Sequence, residues 1–414
     1  MFNSCHGSPV TRTSATSIRR STAGEVSEPL ANAGRLLAGG ILSFTVCMGV
    51  GRFFYTPLLP LMEMQAGFGP DVAGLIASVN FVGYLAGTLL AALVPKGRLR
   101  LLLFRLSLIV SIATTFATGL TDSVPMWIVL RGLAGIATAL AFQFAALIVI
   151  EALAPAGLGA RAGWLFGGVG VGIALSGILV RAFGAVLDWS GLWLAAGILC
   201  ALAAPFILSS VKDSTIRPGV AHGRAGSMPP QLPFWPLLVN YTCEGFGYSI
   251  TATFIVAIVR ARPGMETIAD WVWVVVGLAG LPSCIFWSAI AERAGYATAL
   301  TLAYVTQLAG ILLPAITDSP WAALISAVFF GGTFMAITAL ILAVGRQSAK
   351  GQGFAILTAG FGLGQIIGPL VAGYLGAGRA GFDTALWIAG SVIGIGLLFL
   401  ALAAMQARVR ETRP

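Results

Sequence analysis

The sequence predicts an all-α integral membrane protein, with about twelve transmembrane helices in two pseudo-symmetric six-helix halves. Three observations carry this: a composition that no water-soluble fold of this length sustains, a succession of apolar runs long enough to cross a bilayer, and an internal repeat at one fixed spacing. The 414 residues are 57% hydrophobic and 9% charged, against roughly 25% charged in soluble domains. Glycine supplies 53 residues, near twice its common usage of about 7%. Many of these glycines sit inside apolar runs, where they let helices pack closely in lipid.

A spanning helix needs about 20 mostly apolar residues. Such runs lie near 36–61, 71–94, 101–120, 125–149, 161–182, 191–209, 234–259, 269–290, 296–316, 321–344, 352–376 and 382–405. Residues 1–34 are rich in Ser, Thr and Arg, lack the apolar segment of a signal peptide, and read as a disordered tail. The longest internal polar stretch, 212–233, is rich in Gly and Pro and reads as a linker between a half at 35–211 and a half at 234–406, followed by a tail at 407–414.

Lysine and arginine stay on the cytoplasmic side of such proteins. With the N-terminus inside, 18 of the 24 basic residues fall in cytoplasmic segments. The outer set is Arg181, Arg260, Arg262 and Arg379, and Arg52 and Arg131 remain inside spans. The expected location is a bacterial inner membrane, multi-pass, with both termini cytoplasmic. The net charge of +9 then reflects topology and lipid contact, with no nucleic-acid partner required.

The repeat has a spacing of 196 residues. Gly49 and Gly51 of the first span match Gly245 and Gly247 of the seventh. Thr121-Asp122-Ser123 matches Thr317-Asp318-Ser319, and Gly168, Gly172 and Gly177 match Gly364, Gly368 and Gly373. An even number of spans per half gives both halves one orientation, related by an axis along the membrane normal.

Five positions carry further signatures: Gly49-Val50-Gly51-Arg52 with Tyr55, Pro57, Pro60 and Met62; Glu244 with Gly247 and Tyr248; Arg131 with Gly135; Glu292-Arg293 with Gly295; and Gly368-Pro369. On these, the chain resembles the major facilitator superfamily over everything after residue 34, and the first two motifs resemble its YbfB/YjiJ-type branch. The loop after the second span departs from the superfamily pattern, having Val94 in place of an acid before Lys96-Gly97-Arg98, and the fifth span has Ile173 where antiporter branches carry proline. Direction of transport is therefore not carried over. The resemblance implies that the first, fourth, seventh and tenth spans line a central cavity, with Glu292, Arg293, Gly368 and Pro369 in gating positions.

Of the 15 acids, Glu244 is the one set well inside a span. A charge at the bilayer centre costs about 2.5–3.5 kcal/mol on insertion scales, so Arg52, Arg131 and Glu244 must face a cavity or one another. At ~1.5 Å per residue, Glu244 lies roughly 15 Å from the inner end of its span, and Arg52 and Arg131 roughly 14 Å and 9 Å from the outer ends of theirs. The functional reading is one site, in which the arginines attract an anionic or polar solute and Glu244 exchanges a proton. A fixed Arg52–Glu244 ion pair that orders helix packing is the other reading, and Arg131 is assigned to coupling or gating ahead of solute contact. Tyr55, Asn80, Tyr84, Asn240, Tyr241, Tyr248 and Gln365 are polar groups around this region, each equally able to make an interhelical hydrogen bond.

The expected function is secondary active transport of a small solute by alternating access, proton-coupled, by a monomer in the lipid bilayer. A non-transporting sensor on the same fold and an intramembrane enzyme are the alternatives. The enzyme reading lacks any HExxH, GxSxG or clustered His/Asp set, and no nucleotide-binding motif is present. The cysteines show no metal-ligand spacing, and His6 and His222 lie outside every apolar run. No cofactor or metal is expected.

Overall fold

In the computed structural model, residues 32–95, 97–154, 162–212, 231–348, 353–376 and 378–411 are described. The Lys96 and Arg161 positions, most of the 212–233 linker and most of the N-terminal tail lie outside them. Among the described residues there are twelve helices long and apolar enough to cross a membrane. In chain order they are α1 (Asn32–Ala66), α2 (Pro70–Leu93), α3 (Arg98–Thr118), α4 (Val124–Leu153), α5 (Trp164–Phe183) and α6 (Trp189–Ser210). The second six are α7 (Phe234–Arg260), α8 (Glu266–Ala294), α9 (Tyr296–Ile316), α10 (Pro320–Gly331 and Phe334–Ser348), α11 (Gly353–Tyr374) and α12 (Arg379–Glu411).

Several ends differ from the apolar runs. α12 continues to Glu411, because its terminal Ala, Met, Gln and Arg residues favour helix whether or not lipid surrounds them. α10 is broken at Gly332–Thr333. α1 holds the largest irregularity: Thr45–Arg52 is π-helical, and Phe53–Phe54 form a turn before the helix resumes at Tyr55. Pro57 accounts for part of this break. It has no N–H to give to Phe53 O, and that carbonyl accepts instead from Thr56 N at 3.2 Å.

The repeat is visible in local detail. Thr121 Oγ1 accepts from Ser123 N at 3.2 Å, and its equivalent Thr317 Oγ1 accepts from Ser319 N at 3.3 Å. α2 packs on α11, and the equivalent pair α8 and α5 pack together. Thr56 Oγ1 donates to Ala252 O at 2.6 Å, joining positions 196 residues apart. Repeat-equivalent residues can touch only on the axis that relates them, so this bond marks the centre of the molecule, between α1 and α7.

Glycines set the closest approaches. Gly172 of α5 lies against Thr45 and Gly49 of α1, and Gly364 of α11 against Thr242 and Gly245 of α7. A methyl group at Gly49 would fall on the Gly172 backbone, where no side chain can give way. Gly49→Val is therefore expected to abolish the folded peak in size-exclusion chromatography of detergent extracts. The same change at Gly394, which has open space, leaves it intact.

All four arginines of the outer set, Arg181, Arg260, Arg262 and Arg379, are paired. Arg181 and Arg260 meet Asp270, and Arg262 and Arg379 meet Asp318 and Asp383. The Arg181–Asp270 pair, at 3.5 Å, ties α5 of one half to α8 of the other.

Candidate functional site

The interruption of α1 positions the first arginine. Because Thr56 N bonds Phe53 O, the carbonyl of Arg52 has lost its helical donor. Arg131, the one basic residue of α4, supplies the replacement: Nη2 donates to Arg52 O at 2.9 Å and Nη1 to Gly51 O at 3.0 Å. Asn80 Nδ2 of α2 donates in turn to Arg131 O at 2.9 Å. Arg131 is thus a brace on the broken backbone, and the rings of Tyr55 and Trp193 flank its guanidinium at 5.4 and 5.6 Å.

The Arg52 side chain is differently placed. It is 5% exposed, and its guanidinium carbon lies over the rings of Tyr84 at 3.9 Å, Phe81 at 4.7 Å and Phe53 at 5.5 Å. Those ring faces balance charge, as in other cation–π contacts, but they accept no hydrogen bond in the guanidinium plane. Arg52 Nε and Nη2 are buried with no protein acceptor. Arg52, Arg131, Tyr55 and Asn80 line one cavity of about 20 Å³, with Phe53, Thr56, Ala77 and Phe81 from the first half and Ala252 and Thr253 of α7 from the second. Its volume suits one water molecule.

The expected Arg52–Glu244 contact is not made. Glu244 is fully buried, but its Oε1 accepts from Gln307 Nε2 of α9 at 2.8 Å, and Oε2 has no donor. It does not line the arginine cavity. Asn240, one turn before it, is committed to the same side: Nδ2 donates to Gly396 O at 2.8 Å, and Oδ1 accepts from Tyr304 OH at 2.9 Å. Glu244 and Asn240 therefore face α9 and α12 within the second half, and the two arginines face the junction of the halves. The single three-charge site expected from the sequence separates into two.

The remaining pathway residues divide likewise. Tyr55 OH donates to Ala73 O at 3.2 Å, a link between α1 and α2. Tyr248, the repeat equivalent of Arg52, accepts from Gln365 Nε2 at 2.6 Å and stacks near-parallel with Phe334 and Phe361. Tyr241 stacks on Phe361 at 4.3 Å. Of the gating residues, Gly368 abuts Phe246 and Ser249 of α7, and the carbonyl of Pro369 meets Gly74 of α2. Pro369 is thus in contact with the first half. Glu292 and Arg293 are exposed at the end of α8 and form no ion pair among the described residues.

A family model described as "Uncharacterised MFS-type transporter YbfB" matches residues 44–404. The chain belongs to this YbfB-like family of major facilitator superfamily transporters. No curated protein matches it. Solved structures similar to this YbfB-like transporter include the crystal structure of the nucleoside transporter NupG, at 15% identity and a TM-score of 0.68 over 89% of this chain and 98% of that one. Another is a bacterial homolog of the human lysosomal transporter Spinster, in an inward-facing and unoccupied conformation. It aligns at 14% identity and a TM-score of 0.67 over 92% of this chain and 99% of that one. At such identities the likeness establishes the fold. Family and fold neighbours are transporters, so the chain is a multi-pass membrane transporter and the enzyme reading falls away.

Sequence reasoning on this YbfB-like transporter missed three groups. Gln307 and Tyr304 stand on α9, a span outside the expected cavity-lining set, and only their spacing of three residues, one helical face, marks them as a pair. Glu63 lies in the resumed helix of α1, with a buried Oε1 that has no donor. Its signal was available as an acid between Met62 and Met64 at the end of an apolar run.

Proposed function

We propose that this transporter carries a small anionic organic solute by alternating access, coupled to protons, with Arg52 as the solute anchor and Glu244 as the proton carrier. The observation behind this reading is the Arg52 guanidinium: buried, unpaired by any carboxylate among the described residues, with two in-plane N–H groups that no protein atom accepts. A buried cation left so is costly unless a partner arrives during the working cycle. Glu244 supports the second half of the reading, being a buried carboxyl with one hydrogen bond and no cation beside it. A group of that kind gains or loses a proton when access alternates. Because it stands apart from Arg52, coupling runs through movement of α7, not through direct exchange between solute and proton.

The setting belongs to the same proposal: a monomer in a bacterial inner membrane, halves at 35–211 and 234–406, and both termini and the 212–233 linker in the cytoplasm. Reporter fusions that place the linker outside overturn the topology. Function is tested by uptake into proteoliposomes under an imposed pH gradient, against a panel of organic anions, neutral sugars and cationic drugs. Gradient-driven accumulation of an anion is expected. Accumulation confined to neutral or cationic solutes removes Arg52 from its assigned role.

A further inference from the structure

Arg52 offers more than charge. The two unpartnered groups, Nε and Nη2, form the side edge of the guanidinium, two parallel N–H bonds whose spacing matches the two oxygens of a carboxylate. A carboxylate held on that edge lies in the guanidinium plane. The rings of Tyr84, Phe81 and Phe53 stand over the guanidinium carbon at 3.9–5.5 Å, so the space beside the edge is bounded by aromatic faces. Phe53 continues this wall into the second half, meeting Trp273 at 6.2 Å and Phe334 at 6.1 Å between ring centroids. Phe334 in turn stacks on Tyr248 at 5.9 Å and Phe330 at 5.4 Å. When the halves part at this junction, the surface uncovered next to the Arg52 edge is built of rings from both.

We propose that the solute is an aryl carboxylate: a carboxyl group joined directly to a flat conjugated body and held side-on by Arg52. Conjugation keeps ring and carboxyl in one plane, so the body follows the guanidinium plane and stacks on the rings beside it. A saturated ring carries its substituents out of that plane and strikes the same faces. Arg131 adds attraction without a second fork, because its two Nη groups are already given to the Gly51 and Arg52 carbonyls. The inference rests on the anionic-solute reading above and narrows it to one chemical class.

The test is binding to the full-length protein purified in detergent, which avoids the passive leak of weak acids through lipid. The probes are benzoate, 4-hydroxybenzoate and indole-3-carboxylate, set against cyclohexanecarboxylate, benzamide and inorganic phosphate. At least one aryl carboxylate is expected to bind at least about tenfold more tightly than cyclohexanecarboxylate, with benzamide and phosphate weaker still. Arg52→Lys, which keeps the charge and removes the fork, is expected to weaken that binding about tenfold while eluting as a folded monomer. Tyr84→Leu provides a second variant that leaves the guanidinium in place, with an expected preference between benzoate and cyclohexanecarboxylate reduced severalfold. Equal binding of cyclohexanecarboxylate overturns the flat-body inference and leaves the anionic-solute reading standing. Preference for benzamide, or no binding by any aryl carboxylate, overturns the inference as a whole. Undiminished binding by a folded Arg52→Lys protein overturns the side-on assignment. The pH-gradient measurement on Glu244 variants answers separately for proton coupling.

Discussion

Arg131→Met is expected to cost the protein both stability and solute binding. The methionine fills much of the arginine volume, but it leaves Gly51 O and Arg52 O without the two donors they now have. Orphaned buried carbonyls cost about 1–3 kcal/mol each, so about 2–6 kcal/mol of stability should go. The loss is read as a lower melting temperature in detergent and a smaller folded fraction. Solute binding should fall further than folding does, because the backbone segment so released is the one that carries Arg52. Arg131→Lys can restore one of the two bonds and should recover part of the stability. A well-folded Arg131→Met protein with unchanged binding would show that the brace does not position Arg52.

Glu244→Gln is expected to fold normally and to lose accumulation driven by a pH gradient, while keeping exchange of solute between equal pools. An Arg52–Glu244 ion pair would have predicted poor folding instead, since neutralising one partner strands the other charge. The observed partner is Gln307, and a glutamine at 244 can hold an amide–amide hydrogen bond there. Stability and coupling should therefore separate in this variant. Gln307→Leu gives the complementary case: it removes the hydrogen bond, keeps the titratable group, and is expected to retain gradient-driven uptake with altered pH dependence. Full accumulation by a folded Glu244→Gln protein would remove the proton-carrying role, and attention would pass to Glu63, which among the described residues is the other span acid with a buried oxygen lacking a donor.

Much of the candidate site was readable as a parts list, and much less as an arrangement. Arg52, Arg131 and Glu244 stood out because charge within an apolar run is costly, a property that requires no coordinates. Asn80, Tyr55 and Tyr84 lie beside Arg52 and Arg131 on α1, α2 and α4, near neighbours in chain order. The grouping of Glu244 with Arg52 failed. Applied to one regular helix, the 196-residue spacing sets Glu244 opposite Met48, a turn away from Arg52. The π-helical stretch Thr45–Arg52 carries more residues per turn than an α-helix. Each residue beyond the regular count rotates the following side chains by about 100°.

The sequence by itself determined the number of spans, the repeat with its axis, and the identity of the buried charges. These follow from hydropathy, spacing and composition, which are properties of the chain taken one segment at a time. Tertiary structure alone decided which way each charge turns and what it meets. Arg131 is spent on two carbonyls at the break in α1, and Glu244 is turned to a glutamine 63 residues away on α9. Arg52 keeps an open edge because the rings packed over it meet its charge from above and leave Nε and Nη2 without an acceptor. Helix rotation and backbone breaks fix such choices, and both are set by packing among distant spans, where a difference of one residue in register redirects a side chain.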